Sequence, residues 1–342
     1  MSNPQRALNL ILCWHMHQPD YRRQESGEFS LPWTYLHATK DYTDMAYHLE
    51  QNSKVKAVFN FVPILLDQLE DYAEQFQSGT IRDPLLRLLA RESLDDLAPE
   101  ERELILDRCF RCNHTTMIEP YPAYRRLHEM FRHLDAQDEK LFQYFSGQYL
   151  ADLLTWYHLG WIGESVRRTT ELVPRLMSQA SMFSHADRRL LFELIGDLIT
   201  GLIPRYRKLS DEGRIEISTT PYYHPIAPLL IDLKSAREAW PEAHLPEAPC
   251  YPGGTERLAF HIDAALKSHQ QRFGVPPNGM WPAEGAVSHP ALVQLARHGV
   301  KWAASGEGVG FGVLGFAAIW WRKVRGGRSE AVLGELAFFH YH

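Results

Sequence analysis

An almost unbroken apolar run, LNLILCW at residues 8–14, stops abruptly at the polar cluster HMHQPDYR. A strand without polar alternation has to be covered on both faces, and helices on either side of a parallel sheet provide that cover. The same pattern returns along the chain. VKAVFNFV (55–62) leads into PILLDQLEDYAEQF, whose Leu65, Leu66, Leu69 and Tyr72 fall on one helical side. Residues 83–160 read as mostly amphipathic helix, and a further helix at about 185–209 feeds a β-branched strand from Ile215. A helix at about 255–272 precedes the strand-like NGMWPAEG. SHPALVQLARHG then has Ser288 as N-cap, Pro290 in its first turn and Gly299 at its end, before the strand VKWAAS. Alternating strands and helices predict an α/β fold, either a barrel or a doubly wound sheet. The 342 residues suit one barrel-sized domain, and no low-complexity linker divides them.

Both architectures place chemistry at the C-terminal ends of the strands, where this sequence sets aromatic rings beside acids and imidazoles. His15 and His17 are two apart, so an extended backbone points both to one side. Three readings of that pair stay open: metal ligands, hydrogen-bonding partners for sugar hydroxyls, or core histidines satisfied by backbone. A second cluster is Glu216 with Tyr222, Tyr223 and His224, where Pro221 and Pro225 forbid a following helix. Trp281 with Glu284, and Trp302 with Glu307, complete four such ends. Flat rings with polar tips match the apolar faces and hydroxyl rims of pyranoses. Glycoside cleavage needs two carboxyl groups, about 5 to 5.5 Å apart in retaining enzymes. Trp156, Tyr157 and Trp161 lie at helical spacings and read as core, while Asp44 and Asp20 read as capping or solvated groups.

Composition narrows the partners. A net charge of −6 and a pI near 6.3 leave no basic footprint for nucleic acid. Four cysteines are too few for a disulfide framework, and Cys109-x-x-Cys112 has no second pair to complete a zinc cage. The N-terminal MSNPQRALNL lacks the features of a secretory signal, so the expected location is cytoplasmic. VGFGVLGFAAIWW (309–321) is shorter than the ~20 residues of a membrane span.

Five segments, HMHQP, FNFVPILLDQLEDY, LLTWYHLGW, GRIEISTTPYYHPIAPLL and GMWPAEGAVSHPALVQLARHGVKWAASGEGV, occur in that order. Together they resemble the glycoside hydrolase family 57 catalytic domain, the α-amylase, amylopullulanase and 4-α-glucanotransferase group. The resemblance implies an incomplete (β/α)7 barrel with a substantial helical insertion. It also implies retaining cleavage or transfer of α-1,4-glucosidic bonds in an α-glucan or oligosaccharide, without metal or cofactor. Carried over by motif, Glu216 matches the nucleophile, and His17 and the aromatics near His224 match substrate-contacting positions; with the strand-end clusters, the substrate-binding candidates are His15, His17, Tyr223, His224, Trp281 and Trp302. The family's acid is an Asp in a Thr/Ser-Asp-Glu run, but here the run is Ser305-Gly306-Glu307, and glycine donates no proton. Either Glu307 or Glu284 supplies the acid, or the chain binds glucan without cleaving it, or its glycan differs. A zinc-dependent mannosidase-like or deacetylase-like hydrolase using the two histidines is the remaining alternative. The expected catalytic domain is 1–309, including a helical region at about 83–180. Residues 310–342 form an atypical tail without a clear period, read as a truncation or frameshift product.

Overall fold

Five parallel strands run side by side in chain order: β1 (Cys13–Met16), β2 (Ala57–Phe61), β3 (Ile215–Thr219), β4 (Gly279–Met280) and β5 (Trp302–Ala303). The architecture is α/β, and consecutive parallel strands are the order of an incomplete (β/α)7 barrel. This computed structural model describes residues 11–133, 144–248 and 250–305, together with the backbone of 320–325 and 328–333. Two units divide the chain. One comprises 1–19, 52–67 and 206–342 and contains the sheet; the other comprises 20–51 and 68–205 and is helical. Beside the region at about 83–180, the helical unit takes in 20–51, 68–82 and 181–205.

Register decides which side chains meet. Met16 pairs with Phe61, Phe61 with Thr219, Thr219 with Met280 and Met280 with Ala303. This row faces the apolar side, where Met280 packs with Ala227, Leu258, Ile262, Ala265, Leu295 and Val300. One residue earlier, His15, Asn60, Ser218, Gly279 and Trp302 form a row on the opposite face, because side chains alternate along a strand. Gly279 is required there. A Cβ would fall 1.8 Å from the Trp302 ring, so the indole lies against bare backbone.

Among the described residues the first strand spans Cys13–Met16, so it runs past the apolar segment and takes His15 inside it. Pairing with β2 continues through His15 because Asn60 opposite gives the imidazole a hydrogen-bond partner. The helices follow their sequence signals more closely. Pro63–Ser78, His185–Asp211, Gly254–Phe273 and His289–Arg297 are all present, and the Ser288 hydroxyl caps the last by accepting from the Ala291 amide.

In the helical unit, the helix Gly147–Trp161 is buried along nearly its whole length. A Cβ on Gly147 would meet the Leu94 and Asp95 backbone at 2.7–2.8 Å. Trp156, Tyr157 and Trp161 are buried in this unit, which makes them core. Asp44 caps the helix Glu164–Thr169 by accepting from the Glu164 and Ser165 amides at 2.8 and 2.9 Å. In the tail, β6 (Trp320–Arg325) and β7 (Arg328–Leu333) pair antiparallel. No helix among the described residues is long and apolar enough to cross a membrane.

Candidate active site

Asn60 organises the strand ends. Its Nδ2 donates to Ser218 Oγ at 3.0 Å and to the Thr219 carbonyl at 2.7 Å. Its Oδ1 accepts from Thr220 Oγ1 at 3.0 Å and lies 2.6 Å from His15 Nδ1. With both amide hydrogens committed, the oxygen faces His15, so Nδ1 is the protonated nitrogen and Nε2 carries the lone pair. Asn60 is the one polar residue between Ala57 and Val62, and that buried amide in an apolar strand was the signal available for it.

Above this row the chain gathers three imidazoles and an indole. His17 stacks on His224 with ring centres 4.0 Å apart and planes 18° from parallel. His15 lies 5.7 Å from His224 and 6.0 Å from His17, and stacks on Trp281 at 5.4 Å. The Pro221–His224 turn is tied down by Tyr222 on both ends. Its amide donates to the His261 carbonyl at 3.0 Å and its hydroxyl to Asp67 Oδ2 at 2.5 Å. Glu284 Oε1 lies 3.6 Å from His224 Nδ1, and its side chain is 70% exposed while that of His224 is 10% exposed. His224 Nε2 is buried and has no hydrogen-bond partner.

Backbone strain concentrates at the same place. Tyr223, His224 and Glu284 have φ of 59°, 57° and 55°. Left-handed conformations cost non-glycine residues of order 1–3 kcal/mol each, and persist where the surroundings impose them. Glu284 is set on its short turn by Pro282 and Gly285, the Gly285 amide donating to the Pro282 carbonyl at 2.8 Å.

Burial lowers all three imidazoles. His15 is pushed down to about 4 by desolvation, against the Asn60 hydrogen bond and with help from His17. His224 goes down to about 3, by desolvation and then by repulsion from His17 and His15. Desolvation also lowers His17, although Glu284 pulls the other way. His15 nevertheless keeps solvent access. At neutral pH the cluster is uncharged and offers lone pairs and N–H groups. One ring nitrogen from each of the three lies within 4.8 Å of the others, close enough to be considered as ligands to one cation.

Glu216 stands elsewhere. It is the second residue of β3, on the rung of Cys13 and Val58, and not at the strand's C-terminal end. Its Oε1 accepts from Trp302 Nε1 at 2.7 Å. Burial, and then Glu216, raise the Cys13 thiol to about 12. His15, His17, His224, Trp281 and Glu284 are therefore gathered, while Trp302, in the row of His15, bonds Glu216 two rungs further in. Tyr223 is exposed beside Tyr222 and His261. Glu307 and Gly306 lie outside the described residues; Ser305 Oγ, just before them, donates to the Gly285 carbonyl at 2.6 Å.

An α/β fold with imidazoles, indole and an exposed carboxylate at parallel strand ends defines a candidate glycosidase-type site. The sequence matches glycosyl hydrolase family 57 over residues 11–325, and the chain belongs to that family. The match extends past residue 309, where the resemblance was expected to end. No curated protein matches the chain. Among solved structures it is similar to the α-amylase AmyC from Thermotoga maritima, at 14% identity and TM-score 0.42, covering 87% of this chain and 39% of that one. It is also similar to the GH57-type branching enzyme from Pyrococcus horikoshii, at 15% identity and TM-score 0.39, covering 86% and 40%. A third is TK1436, a GH57 branching enzyme from Thermococcus kodakaraensis, at 17% identity and TM-score 0.35, covering 86% and 39%. The chain spans about two-fifths of the length of these structures.

Proposed function

We propose that the chain cleaves or transfers α-1,4-glucosidic bonds by a retaining displacement in which Glu284 is the nucleophile. The observation that carries this reading is the position of Glu284: an exposed carboxylate on a left-handed turn, 3.6 Å from the imidazole of His224. It revises the role given to Glu216, whose carboxylate is already engaged by the Trp302 indole inside the sheet. Neutral His15, His17 and His224 suit sugar hydroxyls: His15, its Nδ1 proton held by Asn60, accepts at Nε2, and a neutral imidazole otherwise has one donor and one acceptor nitrogen. The Trp281 face beside His15 suits the apolar side of a pyranose.

In the first step a Glu284 oxygen bonds to the anomeric carbon, the glycosidic C–O bond breaks, and the leaving oxygen takes a proton from a second carboxyl. Glu307 is the sequence candidate for that acid. In the second step water or another sugar hydroxyl displaces Glu284 and returns its proton to the same carboxylate, giving hydrolysis or transfer. Gly306 favours a second reading, in which the same residues hold glucan without cleaving it. Incubation with maltooligosaccharides of defined length separates the two. Chromatography should reveal shorter or rearranged chains, NMR should find the α-anomer formed first, and Glu284→Gln should abolish both. Inverted product, or full turnover by Glu284→Gln, overturns the assignment; binding without any product supports the second reading.

A further inference from the structure

We infer that His15, His17 and His224 form a binding site for a late first-row divalent cation, Zn²⁺ above all, and that occupancy shuts out the sugar. The shutting-out rests on the glycosidase reading above; the binding itself does not.

The spacing is the first ground. Three nitrogens no more than 4.8 Å apart surround a common point, and each has to move inward by about 0.7 Å at most to reach a Zn–N bond of about 2.05 Å. Side-chain rotation supplies that movement. His17 and His224, stacked 18° from parallel, cannot aim two lone pairs at one point, so binding turns one ring out of the stack.

The second ground is the set of groups behind the imidazoles. Zinc-bound histidines donate their other ring N–H to a carbonyl or carboxylate, which fixes tautomer and orientation. His15 has this arrangement, with Nδ1 on the Asn60 amide oxygen at 2.6 Å and the Nε2 lone pair left for a ligand. His224 has a looser form, with Nδ1 3.6 Å from the Glu284 carboxylate. The remaining nitrogen of His224 is the buried Nε2 that finds no partner. A strained backbone at φ 57° holds that ring where it is. A buried ring nitrogen without a partner, on a side chain 10% exposed, is a vacancy in the hydrogen-bond pattern that a cation fills.

The donor set decides the ion. Three imidazoles and no carboxylate among the ligands favour zinc, copper, nickel or cobalt over magnesium or calcium, which prefer oxygen. A fourth position stays with water. The rings that would bind sugar hydroxyls are then the ones holding the metal, so cation and glucan compete.

The test uses the full chain with ZnCl₂ or CoCl₂ as the probe. Calorimetry should give one zinc per chain, cobalt should develop the strong visible bands of a tetrahedral site, and Mg²⁺ and Ca²⁺ should do neither. Binding should weaken at least tenfold in His17→Ala and His224→Ala, and about 10- to 100-fold in Asn60→Ala, which removes the oxygen behind His15. His289→Ala, an exposed histidine outside the trio, should bind as the wild type does. If His224→Ala fails to fold by circular dichroism, His17→Gln takes its place. Maltotriose should weaken zinc binding, and zinc should suppress turnover until a chelator is added. Absence of one-to-one zinc binding, or equal binding by the histidine variants and the wild type, overturns the site. Cobalt bands without any glycoside turnover would instead sink the glycosidase reading and leave the metal site standing.

Discussion

His158 in the helical unit and His224 in the sheet unit are both buried imidazoles with lowered proton affinity, yet they are treated in opposite ways. His158 engages both nitrogens: Nδ1 meets the Leu154 carbonyl at 2.7 Å and Nε2 meets the Tyr35 hydroxyl at 3.0 Å. His224 leaves Nε2 without a partner, sits on strained backbone, and stacks on another imidazole. The two acids divide similarly. Glu216 is bonded by the Trp302 indole within the sheet, whereas Glu284 is exposed on a left-handed turn. Saturated polar groups stabilise, and unsaturated ones held at a stability cost point to chemistry. Each half of this contrast can be broken by a substitution.

The largest expected effect separates the acids. Glu284→Gln keeps the shape and removes the charge, and should lower kcat on a maltooligosaccharide on the order of a thousandfold, about 4 kcal/mol of barrier. Glu216→Gln keeps an acceptor for the indole and should lower it by no more than about tenfold, roughly 1.4 kcal/mol. Steady-state kinetics on both variants decide the matter. Reversed magnitudes would return the nucleophile's role to Glu216.

Stability should divide the histidines the other way. His158→Ala opens a cavity and strands the Tyr35 hydroxyl, and should cost about 2–4 kcal/mol in urea unfolding. His224→Gly suits φ 57° and should leave stability unchanged or raise it by about 1 kcal/mol, while abolishing turnover. A His224→Gly chain as damaged as His158→Ala would place His224 among the structural residues.

Acid should sharpen the same comparison. Desolvation, opposed by the Leu154 hydrogen bond, brings His158 down to about 4 in the folded chain. The unfolded value is about 6.5, so between those limits the unfolded chain takes a proton that the native chain refuses. Stability from this residue is complete above pH 6.5 and is lost as pH falls toward 4, by about 3 kcal/mol in all. Unfolding free energies at pH 7.5 and 4.5 should therefore differ less in His158→Gln than in the wild type. Equal differences would show that His158 does not carry this dependence.

Much of this arrangement was legible in the sequence, and the misses have physical causes. Apolar runs and caps such as Ser288 gave the strands and helices because both signals are local. The His15–His17 spacing gave a shared face because extended backbone alternates. Glu216 lies one residue inside the start of β3, and the sequence alone does not say at which end of the strand a charge stands. Its true depth is set by pairing with Val58 and Cys13, which no local signal encodes. The same non-local register makes Asn60 the hub. The left-handed turn at Glu284 depends on Pro282 and Gly285 on either side, and only in three dimensions does it meet His224.

Gly279→Ala probes Glu216 with the smallest expected change. The added methyl would sit 1.8 Å from the Trp302 ring, so the indole has to leave its place against the backbone. Overpacking of this kind costs about 1–3 kcal/mol. The displaced Nε1 no longer reaches Glu216 Oε1, which loses the 2.7 Å bond. If that bond only stabilises the sheet, the variant should unfold at lower urea with KM and kcat within about threefold of wild type, under 1 kcal/mol of barrier. Indole fluorescence reports whether Trp302 has moved. A kcat loss as large as that of Glu284→Gln, with the fold intact, would mean that the inner rung takes part in the reaction and that saturation is no guide to role in this sheet.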